Sequence, residues 1–233
     1  MSAIYMIRHG QASFAGDDYD ALSDLGRTQS TILGDYLDHL GLTFDAAYSG
    51  SLKRQRHTAR IAMARMRPSP ISDPRTDPGF NEYNAEGVLA SQLPDMLKKD
   101  PTLARDVDRM NERRSFQRVF ERAMMRWISG RYDMAGTETW AAFTARVRDA
   151  VKRVMIENGR QKRIVLFTSG GVISATMQMA LGLADDMALQ LGWQLRNTSI
   201  SIFKYNDERI FLNAFNVIHH LECRKEPHLM TYR

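Results

Sequence analysis

Two short stretches place chemistry-bearing residues at the ends of apolar runs. Ala3-Ile4-Tyr5-Met6-Ile7 stops at Arg8-His9-Gly10, and Arg163-Ile164-Val165-Leu166-Phe167 stops at Thr168-Ser169-Gly170-Gly171. Continuous apolar runs of this length suit parallel strands covered on both faces. In an open α/β sheet, ligands sit beyond the carboxyl ends of the strands, where turn backbones and helix N-termini present N–H groups to anions. Two glycine-bearing turns there can pinch a phosphate between them, and an arginine adds a planar multi-donor fork that lysine lacks. A histidine in that position can be a nucleophile. If one ring nitrogen donates to a backbone carbonyl, the other presents its lone pair in line with a bound phosphorus, and the covalent product is phosphohistidine. The tripeptide Arg-His-Gly alone occurs too often by chance to carry this, and His9 is equally at home as a satisfied strand-end residue.

The elements that must position these residues alternate between strand and helix. Residues 23–41 place Leu25, Ile32, Leu33, Tyr36, Leu37 and Leu40 at helical spacing, with Ser23 as N-cap and Gly41 as the stop. Residues 44–50 read as a short strand and 52–66 as a helix beginning beside Ser49 and Ser51. Toward the end, 199–205 and 210–215 flank Asn206-Asp207-Glu208-Arg209 and read as an antiparallel hairpin closing the sheet. This pattern predicts an α/β fold with a mixed, mostly parallel sheet. From about Val88 to Gly136 there is no strand signal, only helical periodicity and arginine. Arg105, Arg109 and Arg113, then Arg118, Arg122 and Arg126, recur every four residues, each row expected along one helix face. An amphipathic helical cover with a solvated basic face is the expectation, ahead of a lid that attracts acidic substrates.

Bulk composition narrows the class. A chain of 233 residues with 43% hydrophobic and 25% charged residues fits one globular domain and neither a disordered nor a fibrous protein. The net charge of +5 is too small to choose between an anionic small molecule, a nucleic acid and no anionic partner at all. The single cysteine, Cys223, rules out an intramolecular disulfide framework and points to a reducing compartment such as the cytoplasm, in keeping with the lack of a recognisable export leader. Residues 164–184 are uncharged and reach the length of about 20 residues that spans a bilayer. Their Thr-Ser-Gly-Gly interruption predicts buried strand, turn and helix instead.

Further motifs follow in order: Leu22-Ser23-x-x-Gly26-x-x-Gln29, Tyr48-Ser49-x-x-Leu52-Lys53-Arg54-x-x-x-Thr58-Ala59, Phe80-Asn81-Glu82, Trp140-x-x-Phe143-x-x-Arg146-Val147, Gly170-Gly171-Val172-Ile173, Asn197-x-Ser199-Ile200 and Phe215-Asn216-x-x-x-His220-Leu221. Together with Arg8-His9-Gly10, this set resembles the histidine phosphatase superfamily, which includes the phosphoglycerate mutases, over almost the whole chain. The resemblance implies a three-layer phosphoglycerate mutase-like sandwich, a single domain spanning 1–233 with a helical lid insertion at about 88–136. It implies His9 as the phosphorylated nucleophile, Arg8 and Arg54 as the clamp on the phosphoryl oxygens, Ser169 and Gly170 as further phosphate contacts, and Glu82 as general acid and then base. Lys53 and Arg56 flank Arg54, and Glu86 lies near Glu82, but Arg54 and Glu82 match without a gap. No cofactor and no metal is implied, since arginines and turn amides supply the positive charge.

One position departs from the pattern: Ser169 stands where the superfamily has a second histidine, exchanging a charged donor for a neutral hydroxyl. His219 and His220 are expected to be structural, and His57 to lie on a helix surface. The expected activity is metal-independent hydrolysis of a phosphate monoester through phosphohistidine. The alternatives are mutase-type phosphotransfer, ranked lower because Gln11-Ala12-Ser13 departs from the Glu-Ser-x-x-Asn of glycolytic mutases, and a phospho-ligand-binding homologue weakened by Ser169. The expected partner is a small phosphorylated substrate, with neither nucleic acid nor membrane, and a homodimer is left open.

Overall fold

The computed structural model describes residues 2–13, 20–67, 71 and 73–232. In chain order its elements are β1 (Ser2–Arg8), α1 (Asp24–His39), β2 (Ala46–Ser49), α2 (Lys53–Arg65), β3 (Arg75–Thr76), a 3₁₀ turn at Pro78–Phe80, α3 (Ala85–Lys99), α4 (Ala104–Val107), α5 (Arg113–Ile128), α6 (Trp140–Asn158), β4 (Arg163–Thr168), α7 (Gly170–Leu181), α8 (Asp185–Gln194), β5 (Ile200–Tyr205), β6 (Ile210–Val217) and α9 (His219–Glu222). They form two compact units, one of Met1–Glu82 with Val147–Arg233 and the other of Tyr83–Arg146.

The first unit is built on a six-stranded sheet in the order β3-β2-β4-β1-β5-β6. β3, β2, β4 and β1 run parallel, while β5 is antiparallel to β1 and β6 antiparallel to β5. The sheet is therefore the mixed, mostly parallel one expected, and its closing pair is the expected hairpin. The two-residue β3 was not expected, because its exposed Arg75-Thr76 carries no apolar signal.

Alternation along the strands divides the core between the two faces. Ile7, Ala47, Val165, Phe167 and Ile200 pack with Leu33 and Leu37 of α1 and with Ala59, Ala62 and Met63 of α2. Ile4, Met6, Ile164, Leu166 and Phe203, of opposite parity, are also buried. On that side Tyr48 receives a hydrogen bond from Asn158 of α6 and donates one to Glu157. Helices cover both faces.

α1 starts where expected, with Ser23 Oγ accepting from the Gly26 amide at 3.0 Å, and it ends before Gly41, whose φ of +62° is costly for any side chain. Leu40, counted in its apolar pattern, lies past the last turn and is 50% exposed. Residues 164–184 divide into β4 and α7, and among the described residues no helix is long and apolar enough to cross a membrane.

The second unit is helical. Val88, Met96, Leu103, Val119, Ala123, Met124, Trp127, Trp140 and Phe143 are among its buried residues, with the Trp127 and Trp140 rings in an edge contact at 5.3 Å. Arg118, Arg122 and Arg126 do share a face of α5, but each meets a carboxylate of the same unit: Asp106, Asp100 and Asp95. Beside Arg118 the Asp106 carboxyl is held down at about 2. The row of Arg105, Arg109 and Arg113 does not line one helix, because α4 stops at Val107 and α5 begins only after Glu112, its N-cap residue.

Candidate active site

The carboxyl ends of β1, β4 and β2 lie side by side, with Arg8 opposite Thr168 and Ser49 opposite Phe167. His9 follows Arg8 and is only 7% exposed. Its backbone is fixed on both sides: its N–H donates to the Thr168 carbonyl at 2.8 Å, and its carbonyl accepts from Asn197 Nδ2 at 3.0 Å. Thr198 adds backbone N–H contacts to the carbonyls of Arg8 and His9 at 3.0 and 3.3 Å. Thr198 does so at φ +57°, a left-handed conformation that a β-branched residue adopts only when its surroundings impose it.

The His9 ring is oriented by the next residue. Nδ1 lies 2.7 Å from the Gly10 carbonyl, which can only accept, so Nδ1 carries the proton and Nε2 the lone pair. That lone pair accepts from Arg54 Nε at 3.2 Å. Burial first, then the positive charges of Arg54 and Arg8, hold the His9 pKa well below its ordinary value of 6.5, against an opposing pull from the Gly10 carbonyl. The ring is thus neutral at physiological pH, the form a nucleophile needs.

Gly10 is required by a close approach. A Cβ there would lie 2.4 Å from the Gly26 carbonyl oxygen, and one on Gly26 would lie 2.1 Å from the Gln11 carbonyl oxygen. The Gly10 amide donates to Thr58 Oγ1 at 3.0 Å, and the Gln11 amide to Gln29 Oε1 at 2.9 Å. The spacings Ser23-x-x-Gly26-x-x-Gln29 and Arg54-x-x-x-Thr58 therefore serve the segment after β1, the first presenting three residues toward it and the second two.

Arg54 stands at the start of α2, next to the exposed Lys53. Asp20, which drew no attention in the sequence, holds this corner: Oδ1 accepts from Arg54 Nη1 and Oδ2 from the Lys53 amide, both at 2.7 Å. Arg8 donates from Nη1 to the Leu195 carbonyl, and a Cβ on Gly170 would lie 3.8 Å from its Nε. Glu82 is brought to the same strand ends from the 3₁₀ turn, its Oε2 accepting from the Gly171 amide in the first turn of α7 at 3.0 Å. The turn is anchored by the Phe80 carbonyl, which accepts from Thr168 Oγ1 at 2.8 Å, and by Asn81, which pairs with Ser51 through both amide atoms. Glu86 is exposed on α3.

Ser169 is wholly buried, and its Oγ accepts from Gln55 Nε2 at 2.8 Å. The structure thus places Arg8, His9, Arg54, Glu82, Ser169 and Gly170 around the ends of β1 and β4. Asp20, Gln55, Asn197 and Thr198 belong to the same network. Asn197 stood in a recognised motif; Gln55 and Asp20 had only ordinary helix and loop surroundings to mark them.

His220 supports the site from behind. It is 2% exposed, and its Nε2 lies 3.0 Å from Thr198 Oγ1, whose own proton goes to the Asn197 carbonyl at 2.7 Å, so Nε2 is the donor. Desolvation, followed by the neighbouring His219, lowers its pKa to about 4. The unfolded chain takes up a proton near 6.5 that the folded chain refuses until about 4, so stability is full above 6.5 and declines as pH falls through that window. The expected loss is about 3 kcal/mol, to which His9 adds in the same direction. His220→Gln keeps the donor to Thr198 and removes the titration, so its thermal midpoint should fall less steeply between pH 6.5 and 4. Parallel curves for the two proteins would refute this.

Comparisons with known proteins bear on the family and the fold. A curated 2,3-bisphosphoglycerate-dependent phosphoglycerate mutase of Bartonella henselae is 34% identical over 87 residues, a match spanning 35% of this chain and 42% of that protein. A phosphoserine phosphatase from Entamoeba histolytica, solved with phosphoserine, superposes with a TM-score of 0.64 at 19% identity, covering 95% of this chain and all of the other. A phosphoglycerate mutase from Bacillus anthracis gives a TM-score of 0.62 at 17% identity, covering 97% of each chain. Similarity at such identities speaks for a shared phosphoglycerate mutase-like fold. The profile of the histidine phosphatase superfamily, branch 1, matches residues 4–218, from within β1 to just past β6. A chain whose profile match encloses His9, Arg54, Glu82 and Ser169 belongs to the histidine phosphatase superfamily.

Proposed function

We propose that this protein hydrolyses a small phosphate monoester without a metal, through phosphohistidine on His9. The observation that carries this is the His9 ring itself: a buried, neutral imidazole with Nδ1 donating to Gly10 and Nε2 against the guanidinium of Arg54. A phosphoryl group entering in line with Nε2 takes the place of that contact and receives the Arg54 and Arg8 guanidinium groups on its oxygens. The Nε2 lone pair forms the N–P bond while the P–O bond to the alcohol breaks, and Glu82 in its acid form gives its proton to the leaving oxygen. Water then attacks phosphorus and surrenders a proton to the Glu82 carboxylate, and the N–P electron pair returns to Nε2. Through both steps Nδ1–H stays on the Gly10 carbonyl, which spreads the positive charge of the phosphorylated ring. Arginines and turn amides supply the charge neutralisation that other phosphoryl-transfer enzymes draw from magnesium.

Phosphatase ranks above mutase because Gln11 continues the Arg8-His9-Gly10 turn where glycolytic mutases carry glutamate. Transfer from a bisphosphoglycerate to a monophosphoglycerate, faster than release of phosphate to water, would reverse that order. The decisive test is hydrolysis of para-nitrophenyl phosphate in excess chelator, followed by rapid quenching with a ³²P-labelled substrate. Turnover with an acid-labile, alkali-stable label on His9 is expected. Absence of turnover, or a label elsewhere, would overturn the proposal.

A further inference from the structure

Ser169 occupies the N-cap position of α7, where a serine oxygen normally accepts from an amide two or three residues on, yet it makes no such bond. Its oxygen instead accepts from Gln55 Nε2 at 2.8 Å. Gln55 is fully buried, and its amide can face only one way: Oε1 accepts from the Leu52 amide at 3.3 Å, while Nε2 also donates to the Phe80 carbonyl at 3.1 Å. A backbone N–H must meet the oxygen and a carbonyl must meet the nitrogen. The seat is tight, since a Cβ on Gly50 would lie 1.9 Å from Oε1.

This arrangement sets the polarity of the Ser169 hydroxyl. A hydroxyl whose oxygen is taken by an N–H donor has its own proton left to give. We propose that Gln55 is a positioning residue that makes Ser169 a hydrogen-bond donor to the phosphoryl group, and so supports the chemistry from the place where the superfamily has its second histidine. Gln55 itself touches no substrate. It follows Arg54 on α2, so the same helix turn carries the clamp on His9 and the brace on Ser169, and the two sides of the phosphate site are set by adjacent residues. This inference rests on the phosphoryl-transfer function proposed above.

The test is a double-mutant cycle on para-nitrophenyl phosphate turnover, with vanadate binding and thermal midpoints measured in parallel. Ser169→Ala should lower kcat by roughly 10²-fold, the low end for a lost oxyanion donor, with a smaller change in vanadate affinity. Gln55→Met should lower kcat roughly tenfold, one hydrogen bond's worth, with KM nearly unchanged. In the Ser169→Ala background Gln55→Met should cost nothing further. An equal loss in both backgrounds would assign Gln55 to the Phe80 turn that carries Glu82 and overturn the inference, as would full kcat in the single variant. Should Gln55→Met fail to fold, Gln55→Glu keeps the volume but offers Ser169 an acceptor, which takes its proton away from substrate, so full kcat in that variant would be equally contrary. A wild-type protein that neither turns over nor binds vanadate would remove the parent function and this role with it, whereas an active wild type matched by Gln55→Met removes this role alone.

Discussion

His9→Ala should abolish phosphomonoester turnover, with a fall on the order of 10⁶ in kcat by analogy with other enzymatic nucleophiles, while the fold persists. The fold should survive because the strand-end contacts of residue 9 run through its backbone, to Thr168, Asn197 and Thr198, and only the ring is lost. Removing a buried group that resists protonation also relieves some acid sensitivity. A companion measurement on the wild type is the NMR titration of the His9 ring. Burial and the Arg54 and Arg8 charges oppose the imidazolium, so its midpoint should fall well below 6.5, and the nucleophile should stay neutral at mildly acid pH. A midpoint at or above 6.5, or residual turnover in the alanine variant near the wild-type rate, would contradict the assignment of His9.

The second large effect is expected at Glu82, and it should depend on the leaving group. Glu82→Gln retains an oxygen for the Gly171 amide, so the side chain stays at the first turn of α7 but has no proton to give or take. An alkyl phosphate, whose alkoxide leaves poorly, should lose roughly 10²- to 10⁴-fold in kcat/KM. Para-nitrophenyl phosphate, which needs little help in departing, should lose much less in the phosphorylation step and accumulate phosphoenzyme when water attack slows for want of a base. The comparison is a ratio of kcat/KM values for the two substrates in wild type and variant. An unchanged ratio would place Glu82 outside proton transfer and leave it as an anchor for α7.

Gly26 admits the turn after β1, and Gln29 fixes the Gln11 amide while reaching the Leu229 carbonyl and Thr231 with its nitrogen. His220 and Thr198 likewise act on His9 only through its backbone. In the proposed reaction the imidazole must lie in line with phosphorus to within tenths of an ångström, and buried hydrogen bonds to its backbone can hold it there.

Much of this was legible in the residues alone, for a definite reason. Apolar runs ending at Arg8-His9-Gly10 and Ser169-Gly170-Gly171, helical spacing in α1, and the turn between β5 and β6 are local signals, and local periodicity reports which face of an element is buried. Those signals determined the α/β class, the mixed sheet and the strand ends where an anion can sit. The tertiary structure decided what depends on distant partners: that Arg54 rather than Lys53 meets His9, that Asp20 braces it, that Arg118, Arg122 and Arg126 of α5 meet Asp106, Asp100 and Asp95, and that Gln55 reaches Ser169. A glutamine or aspartate carries no periodic signature, and its meaning appears only when folding brings a partner within hydrogen-bond distance and removes the water that would otherwise replace it.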